Sequence, residues 1–177
     1  LKHVDLSKVT VDDQVLPELF QELKQLDILV LRWTKFKPTQ NAFIHLANLR
    51  ELHFVGIEIP NECSNIFAPL KSLQKLEMGW TKTLNYDAFR QVNNLRELKL
   101  HLILTIQIDK NLFDQHPNLK TLHLSRLSRI IDLKEISNLN SLKSLNLSDN
   151  NFYCEQKDAE TIFGLENLES LDLSLSN

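Results

Sequence analysis

The sequence predicts an α/β solenoid: a curved parallel β-sheet on the concave side, backed by loops and short helices on the convex side. Three observations predict it. A Leu-x-x-Leu-x-Leu pattern recurs from one end of the chain to the other, a column of Phe and Ile precedes each copy at a fixed distance, and no linker or low-complexity stretch interrupts the series.

The first leucine of the pattern falls at Leu1, Leu26, Leu49, Leu73, Leu95, Leu119, Leu142 and Leu168, so the period is 22 to 26 residues. The second slot holds Val4, Leu29, Leu52, Leu76, Leu98, Leu122, Leu145 and Leu171. The third holds Leu6, Leu31, Phe54, Met78, Leu100, Leu124, Leu147 and Leu173. Six residues upstream of the first slot stand Phe20, Phe43, Phe67, Phe89, Phe113, Ile136 and Ile162. Three upstream stand Leu23, Leu46, Leu70, Val92, His116, Leu139 and Leu165. Slots two and three are two apart, so they share one face of a strand, and that face must point inward. One repeat cannot cover its own leucines; stacked neighbours can. Strands that all run one way, each with a returning segment, give a parallel sheet. The Phe column is expected to stack as a spine on the convex side of the core, with Phe89 in mid-stack.

Turn chemistry is irregular. Eight residues after the first slot, an Asn would satisfy backbone groups at the turn, but the column reads Val9, Thr34, Ile57, Thr81, Ile103, Leu127, Asn150 and Ser176. Only Asn150 is that residue, so uneven curvature is expected in the middle of the stack. Pro17, Pro38, Pro60, Pro69 and Pro117 all fall outside the strands, where a missing N–H does no harm. Leu16 to Leu23 reads as a short helix with Pro17 in its first turn, and Asp12 and Asp13 as its cap. Residues 1–177 are expected to form one domain of about eight repeats. Both ends break inside a repeat, which reads as a piece of a longer protein.

Leu142-x-x-Leu145-x-Leu147-x-x-Asn150-x-Phe152, with Phe or Ile six before each first leucine, resembles the "typical" animal class of leucine-rich repeat found in Toll-like receptor ectodomains. The resemblance covers the whole chain. It implies a leucine-rich-repeat fold, ligand recognition and receptor pairing in innate immunity, at the cell surface or outside the cell. No ligand motif of that family stands here to be carried over. Two features favour a cytoplasmic scaffold or substrate-adaptor subunit instead. Cys63 and Cys154 lie four repeats apart, about 19 Å at the spacing of parallel strands. A disulfide spans at most about 7 Å, and unpaired cysteines suit a reducing compartment. The only sequon, Asn146-Leu147-Ser148, would place a glycan on the concave sheet.

The composition narrows function further. A net charge of -3 does not suit dominant non-specific nucleic-acid binding, and three glycines leave no phosphate-cradling loop. No apolar run is long enough for a transmembrane helix. Nucleophile, base and orienting group are nowhere spaced for catalysis, so no enzyme, cofactor or metal is expected. The expected partner is a protein or other macromolecular ligand, with oligomerisation left open.

Candidate binding residues come from the outward strand positions. Trp33 and Trp80 hold the same register two repeats apart, about 10 Å at strand spacing, and are typical anchor residues. Arg96, Lys99, Lys120 and Arg126 set four cations against Glu97, a local departure from the chain's negative balance. His101 and His123 lie within this cluster and are expected to add charge below about pH 6.5. His53 shares the face but lies too far away to join them on a metal. His116, in an apolar slot, is expected to be a half-buried, satisfied core residue.

Overall fold

The computed structural model describes residues 1–12, 15–85, 88, 90–107, 113–127, 132–150 and 155–174. Phe89, Cys154, Asp13, Phe152 and Ser176 lie outside the described residues. Eight parallel strands follow one another in chain order: β1 (His3–Asp5), β2 (Ile28–Val30), β3 (Glu51–Val55), β4 (Lys75–Asn85), β5 (Glu97–Gln107), β6 (Thr121–Leu127), β7 (Ser144–Asn146) and β8 (Ser170–Asp172). The register follows the leucine slots: Leu29 pairs with Leu52, Leu52 with Leu76, Leu76 with Leu98, and the series runs on to Leu145 with Leu171. The expected α/β solenoid is therefore the architecture observed. Helix α1 (Val15–Glu22) carries Pro17 in its first turn, and α2 (Gln156–Phe163) is its counterpart near the other end.

One continuous core runs through the stack. The leucines of the first and second slots from Leu26 to Leu145 are buried, as are Phe20, Phe43, Phe67, Phe113 and Ile136 of the upstream column. Phe20, Phe43 and Phe67 form the expected spine, with ring centroids 6.1 Å and 5.8 Å apart and nearly parallel planes. Phe54 inserts edge-on between Phe43 and Phe67, at 6.0 Å and 5.5 Å. Such edge and offset contacts suit the ring quadrupoles and add about 0.5–1.5 kcal/mol each beyond burial. His116 departs from expectation. It is 0% exposed, and burial pushes its imidazole down to about 4.

The irregular turn column shows itself in strand length. Asn150 is buried and makes three bonds: its amide nitrogen donates to the Leu124 and Leu147 carbonyls at 2.6 Å and 2.8 Å, and its oxygen accepts from the Leu127 N–H at 2.9 Å. The strand of that repeat, β7, is three residues long. In the middle of the stack, where Ile103 and Leu127 fill the same slot, β5 runs for 11 residues and β6 for seven. With no side chain to take the turn's backbone groups, those groups pair with the next strand.

Candidate functional site

Among the described residues, the residue seven after each first leucine from Leu1 to Leu142 is in the left-handed region. Lys8, Trp33, Gly56, Trp80, Leu102, Arg126 and Asp149 have φ between +51° and +72°. Only one is a glycine, and bulky residues occupy this region rarely and at some cost. The geometry re-aims the chain at the C-terminal side of the sheet. Gly56 sits between the two tryptophans. A Cβ there would come within 2.3 Å of Cε3 of Trp33, so the glycine leaves the space that the Trp33 ring fills. Across that gap Trp33 and Trp80 meet edge to face, with centroids 5.2 Å apart. The backbone interval of two strands is thus closed by the rings. Both remain open to solvent, at 43% and 51% exposure. Beside them runs a mainly apolar groove of about 830 Å³ that includes Trp33, Phe36, Ile57, Ile59 and Pro60 in its walls.

The concave face carries an ion network built from cross-strand neighbours. On the middle position of successive strands stand His53, Glu77, Lys99 and His123. His53 sits between two carboxylates: Nδ1 lies 2.5 Å from Glu77 Oε2, and Nε2 lies 2.7 Å from Glu51 Oε1. Arg32 donates to the same Glu77 oxygen at 2.5 Å, and Lys75 lies 3.4 Å from Glu51. The hydrogen bond to Glu77 raises the pKa of His53. Reciprocally, the bond from His53, aided by Arg32, holds Glu77 down to about 2. Sequence reasoning passed over this centre. Its signal was the alternation of Glu51, Lys75 and Glu97, and of Glu77 and Lys99, at paired strand positions.

The expected basic cluster is partly matched by acids. Lys99 lies 2.6 Å from Glu97, and Arg126 donates to Asp149 at 3.0 Å. His101 packs over Gly79, where a Cβ would fall 2.6 Å from its ring. Burial lowers the pKa of His101, and burial with the nearby Lys99 charge lowers that of His123. Both therefore charge below the ordinary imidazole range; the raised histidine is His53. His123 Nε2 is 3.0 Å from the Ser125 hydroxyl. Among the described residues, no group of three or more His, Cys, Asp or Glu is placed to hold a metal ion.

No family model matches the chain. It is 29% identical over 177 residues to the mouse volume-regulated anion channel subunit LRRC8B and 30% identical over 173 residues to the human one. These matches cover 99% and 97% of this chain. Human subunit LRRC8A is 28% identical over 171 residues, 94% of this chain and 21% of that protein. The chain spans about a fifth of the length of these curated relatives, 19% and 18% for the two LRRC8B proteins. Among solved structures, an internalin from Listeria monocytogenes superposes with a TM-score of 0.76 at 24% identity, over 99% of this chain and 48% of that one. TLR13 in its ssRNA13 complex superposes with a TM-score of 0.74 at 27% identity, over 96% of this chain and 24% of that one. The chain is a leucine-rich-repeat protein.

Within this leucine-rich-repeat protein, a second polar ladder lies on the opposite side from the tryptophans. Asn48, Asn94 and Asn167, each just before a first leucine, donate from Nδ2 to Lys24, Lys71 and Asn140 carbonyls of the preceding repeat at 2.9 Å, 2.7 Å and 2.7 Å. The recurrent Asn-Leu pair was visible in the sequence and marks this lip. Asn146 of the sequon is half-buried: its nitrogen donates to Asp172 at 2.8 Å and its oxygen accepts from Ser148. Cys63 is a buried free thiol with Sγ 3.5 Å from the Pro38 carbonyl.

Proposed function

We propose that this leucine-rich-repeat module recognises a protein partner through the sheet edge where Trp33 and Trp80 meet, as a binding module and not as an enzyme. The carrying observation is the exposed tryptophan pair, held together over Gly56 and flanked by an apolar groove. Aromatic anchors with low side-chain entropy dominate protein interfaces. Lys99, His101, His123 and Arg126 supply the polar side of the contact along the concave face, where ion pairs orient a partner more than they hold it.

Two settings are consistent with this reading. Similarity to TLR13 supports a Toll-like-receptor-type ectodomain with a role in innate immunity. The LRRC8B and LRRC8A relatives, subunits of volume-regulated anion channels, favour a scaffold or adaptor part of a larger assembly, and the free thiol of Cys63 suits the cytoplasmic side. No helix among the described residues is long and apolar enough to cross a membrane. Labelling of intact cells with a membrane-impermeant biotin reagent separates the settings: labelling of the full-length protein supports the ectodomain, and protection until permeabilisation supports the cytoplasmic assembly.

The test of the surface uses the full-length protein in its native cell, with quantitative crosslinking. Trp33→Ala with Trp80→Ala is expected to lower partner recovery about tenfold or more, the scale of a lost aromatic hot spot. Lys99→Glu with Arg126→Glu is expected to lower it less, since both cations already have acidic neighbours. Recovery unchanged by the tryptophan pair, with melting intact, would refute the proposed surface.

A further inference from the structure

At the N-terminal ends of the strands, the side away from the tryptophans, the lip of the sheet holds a cleft of about 590 Å³. Arg50, Lys71, Arg96 and Lys120 line it together with uncharged polar residues, Asn94 and Asn118 among them. Among the described residues, no carboxylate and no aromatic residue lines it. The excess is local, for the chain as a whole is at -3.

The cations are set on a rigid frame. Arg50, Arg96 and Lys120 each immediately precede a strand, at the same repeat position. The Arg50 carbonyl accepts from the Gln74 and Lys75 N–H groups, both at 2.9 Å. The Arg96 carbonyl accepts from Lys120 and Thr121 at 2.8 Å and 3.0 Å. Such paired bonds fix the backbone at strand spacing, so Arg50 to Lys120 spans three intervals, roughly 14 Å. Asn94 donates to the Lys71 carbonyl at 2.7 Å and ties the Lys71 loop to this lip. Charge is also available here. Lys99 and Arg126 on the concave face are matched by Glu97 and Asp149. Arg96, Lys120 and Lys71 have no acidic partner among the described residues, and Arg50 has only the half-buried Asp27 at 3.5 Å.

We infer that this lip is a second binding site, for an extended acidic segment of a partner protein, independent of the tryptophan edge. Four cations, of which only Arg50 has a carboxylate within ion-pair distance among the described residues, attract a carboxylate-rich chain and speed its capture. Arg adds bidentate recognition of each carboxylate. At about 3.3 Å per residue, an extended segment of four to five residues spans the row. Single-stranded nucleic acid fits less well, because its binding sites add aromatic platforms for stacking, and this cleft has none.

The test uses full-length protein and a fluorescein-labelled hexaglutamate peptide, followed by anisotropy, with a hexameric single-stranded RNA and inorganic phosphate as competitors. Saturable peptide binding is expected, weakened roughly fivefold or more by Arg96→Gln with Lys120→Gln. Lys99→Gln with Arg126→Gln and Trp33→Ala should each leave it within about twofold, being outside the cleft. Raising salt on the wild type should weaken binding progressively and needs no variant to fold. Absence of saturable binding overturns the inference, as does equal binding by the Arg96→Gln, Lys120→Gln protein. RNA that displaces the peptide at lower concentration, and loses its own binding in the same variant, overturns the assignment to a protein segment. Phosphate that competes as well as the peptide reduces the site to an anion pocket and overturns it too.

Discussion

The repeat that closes on Asn150 and the repeats in the middle of the stack solve one problem in two ways. At Asn150 a single buried amide takes three backbone groups, and β7 stops after three residues. In the middle, Ile103 and Leu127 fill that slot and pair with each other, so the ladder of β5 and β6 reaches the slot itself. The pairing of β4 and β5 runs from Lys75 to Asn85 and passes over Trp80 and Leu102, the left-handed residues. The left-handed position is a turn in one region and a bulge inside a continuing strand in the other. The proposed binding edge is built on the second solution. Because β4 continues beyond Trp80, the tryptophan is held between two paired segments, and its ring projects from a fixed frame toward Trp33.

Removal of the amide tests the first solution and should give the largest effect. Asn150→Ala leaves the Leu127 N–H and the Leu124 and Leu147 carbonyls without that partner in a buried place. At about 1–1.5 kcal/mol for each, the loss is about 3–5 kcal/mol in chemical denaturation. A loss under about 1 kcal/mol would mean that the turn repairs itself by extending β7, as the middle repeats do.

The reverse exchange tests the second solution. Ile103→Asn brings an amide into a slot whose neighbours are already paired in the ladder, and it removes a fully buried branched side chain. A cost of about 3–4 kcal/mol is expected from an amide buried without suitable partners and lost apolar burial. Were asparagine simply the better residue for this column, the variant would gain stability, and the contrast between the two regions would collapse.

Most of the fold was legible because it is written in columns. A leucine every 22 to 26 residues and a Phe six before it fix strand, face and register at once. The site was legible only in part. Trp33 and Trp80 could be placed on one edge from their shared register, but their contact depends on Gly56, one residue whose lack of a Cβ lets the rings approach. The charges show the same limit. Arg96, Lys99, Lys120 and Arg126 read alike in the sequence. In the structure Lys99 and Arg126 find carboxylates, whereas Arg96 and Lys120 turn to the lip beside Arg50 and Lys71. Pairing between side chains on neighbouring strands depends on rotamers that spacing does not encode.

His116 extends the contrast to a polar group kept in the core by neutrality. It stands in the apolar column with Leu46, Leu70 and Leu139, and burial holds its pKa at about 4 against an ordinary 6.5. Between those values the unfolded chain takes a proton that the folded chain refuses. Stability is therefore full above about pH 6.5 and falls as pH drops toward 4, by roughly 3 kcal/mol from this group. His116→Leu should flatten that part of the profile. Since His53, His101 and His123 titrate nearby in pH, the quantity to measure is the difference between variant and wild-type unfolding free energies at pH 7 and pH 4.5. A difference that does not change with pH would show that His116 accepts its proton while folded.

Thr34 should give the smallest effect, and its size separates a turn that depends on one side chain from a turn that does not. Thr34 occupies the same column as Asn150 and is buried, with Oγ1 donating to the Leu6 carbonyl at 2.7 Å. That carbonyl also accepts from the Val9 N–H at 3.2 Å, so it keeps a partner when the hydroxyl is removed. Thr34→Val preserves the branched shape and replaces the hydroxyl by a methyl group, so no cavity opens. The expected loss is that of one hydrogen bond whose acceptor stays satisfied, about 1 kcal/mol or less. Denaturant midpoint with an unchanged m-value is the measurement. A loss as large as that of Asn150→Ala would mean that the hydroxyl anchors the whole edge from β1 to Trp33. Thr34 and Asn150 would then be equivalent, and the difference between the regions would lie in strand length alone.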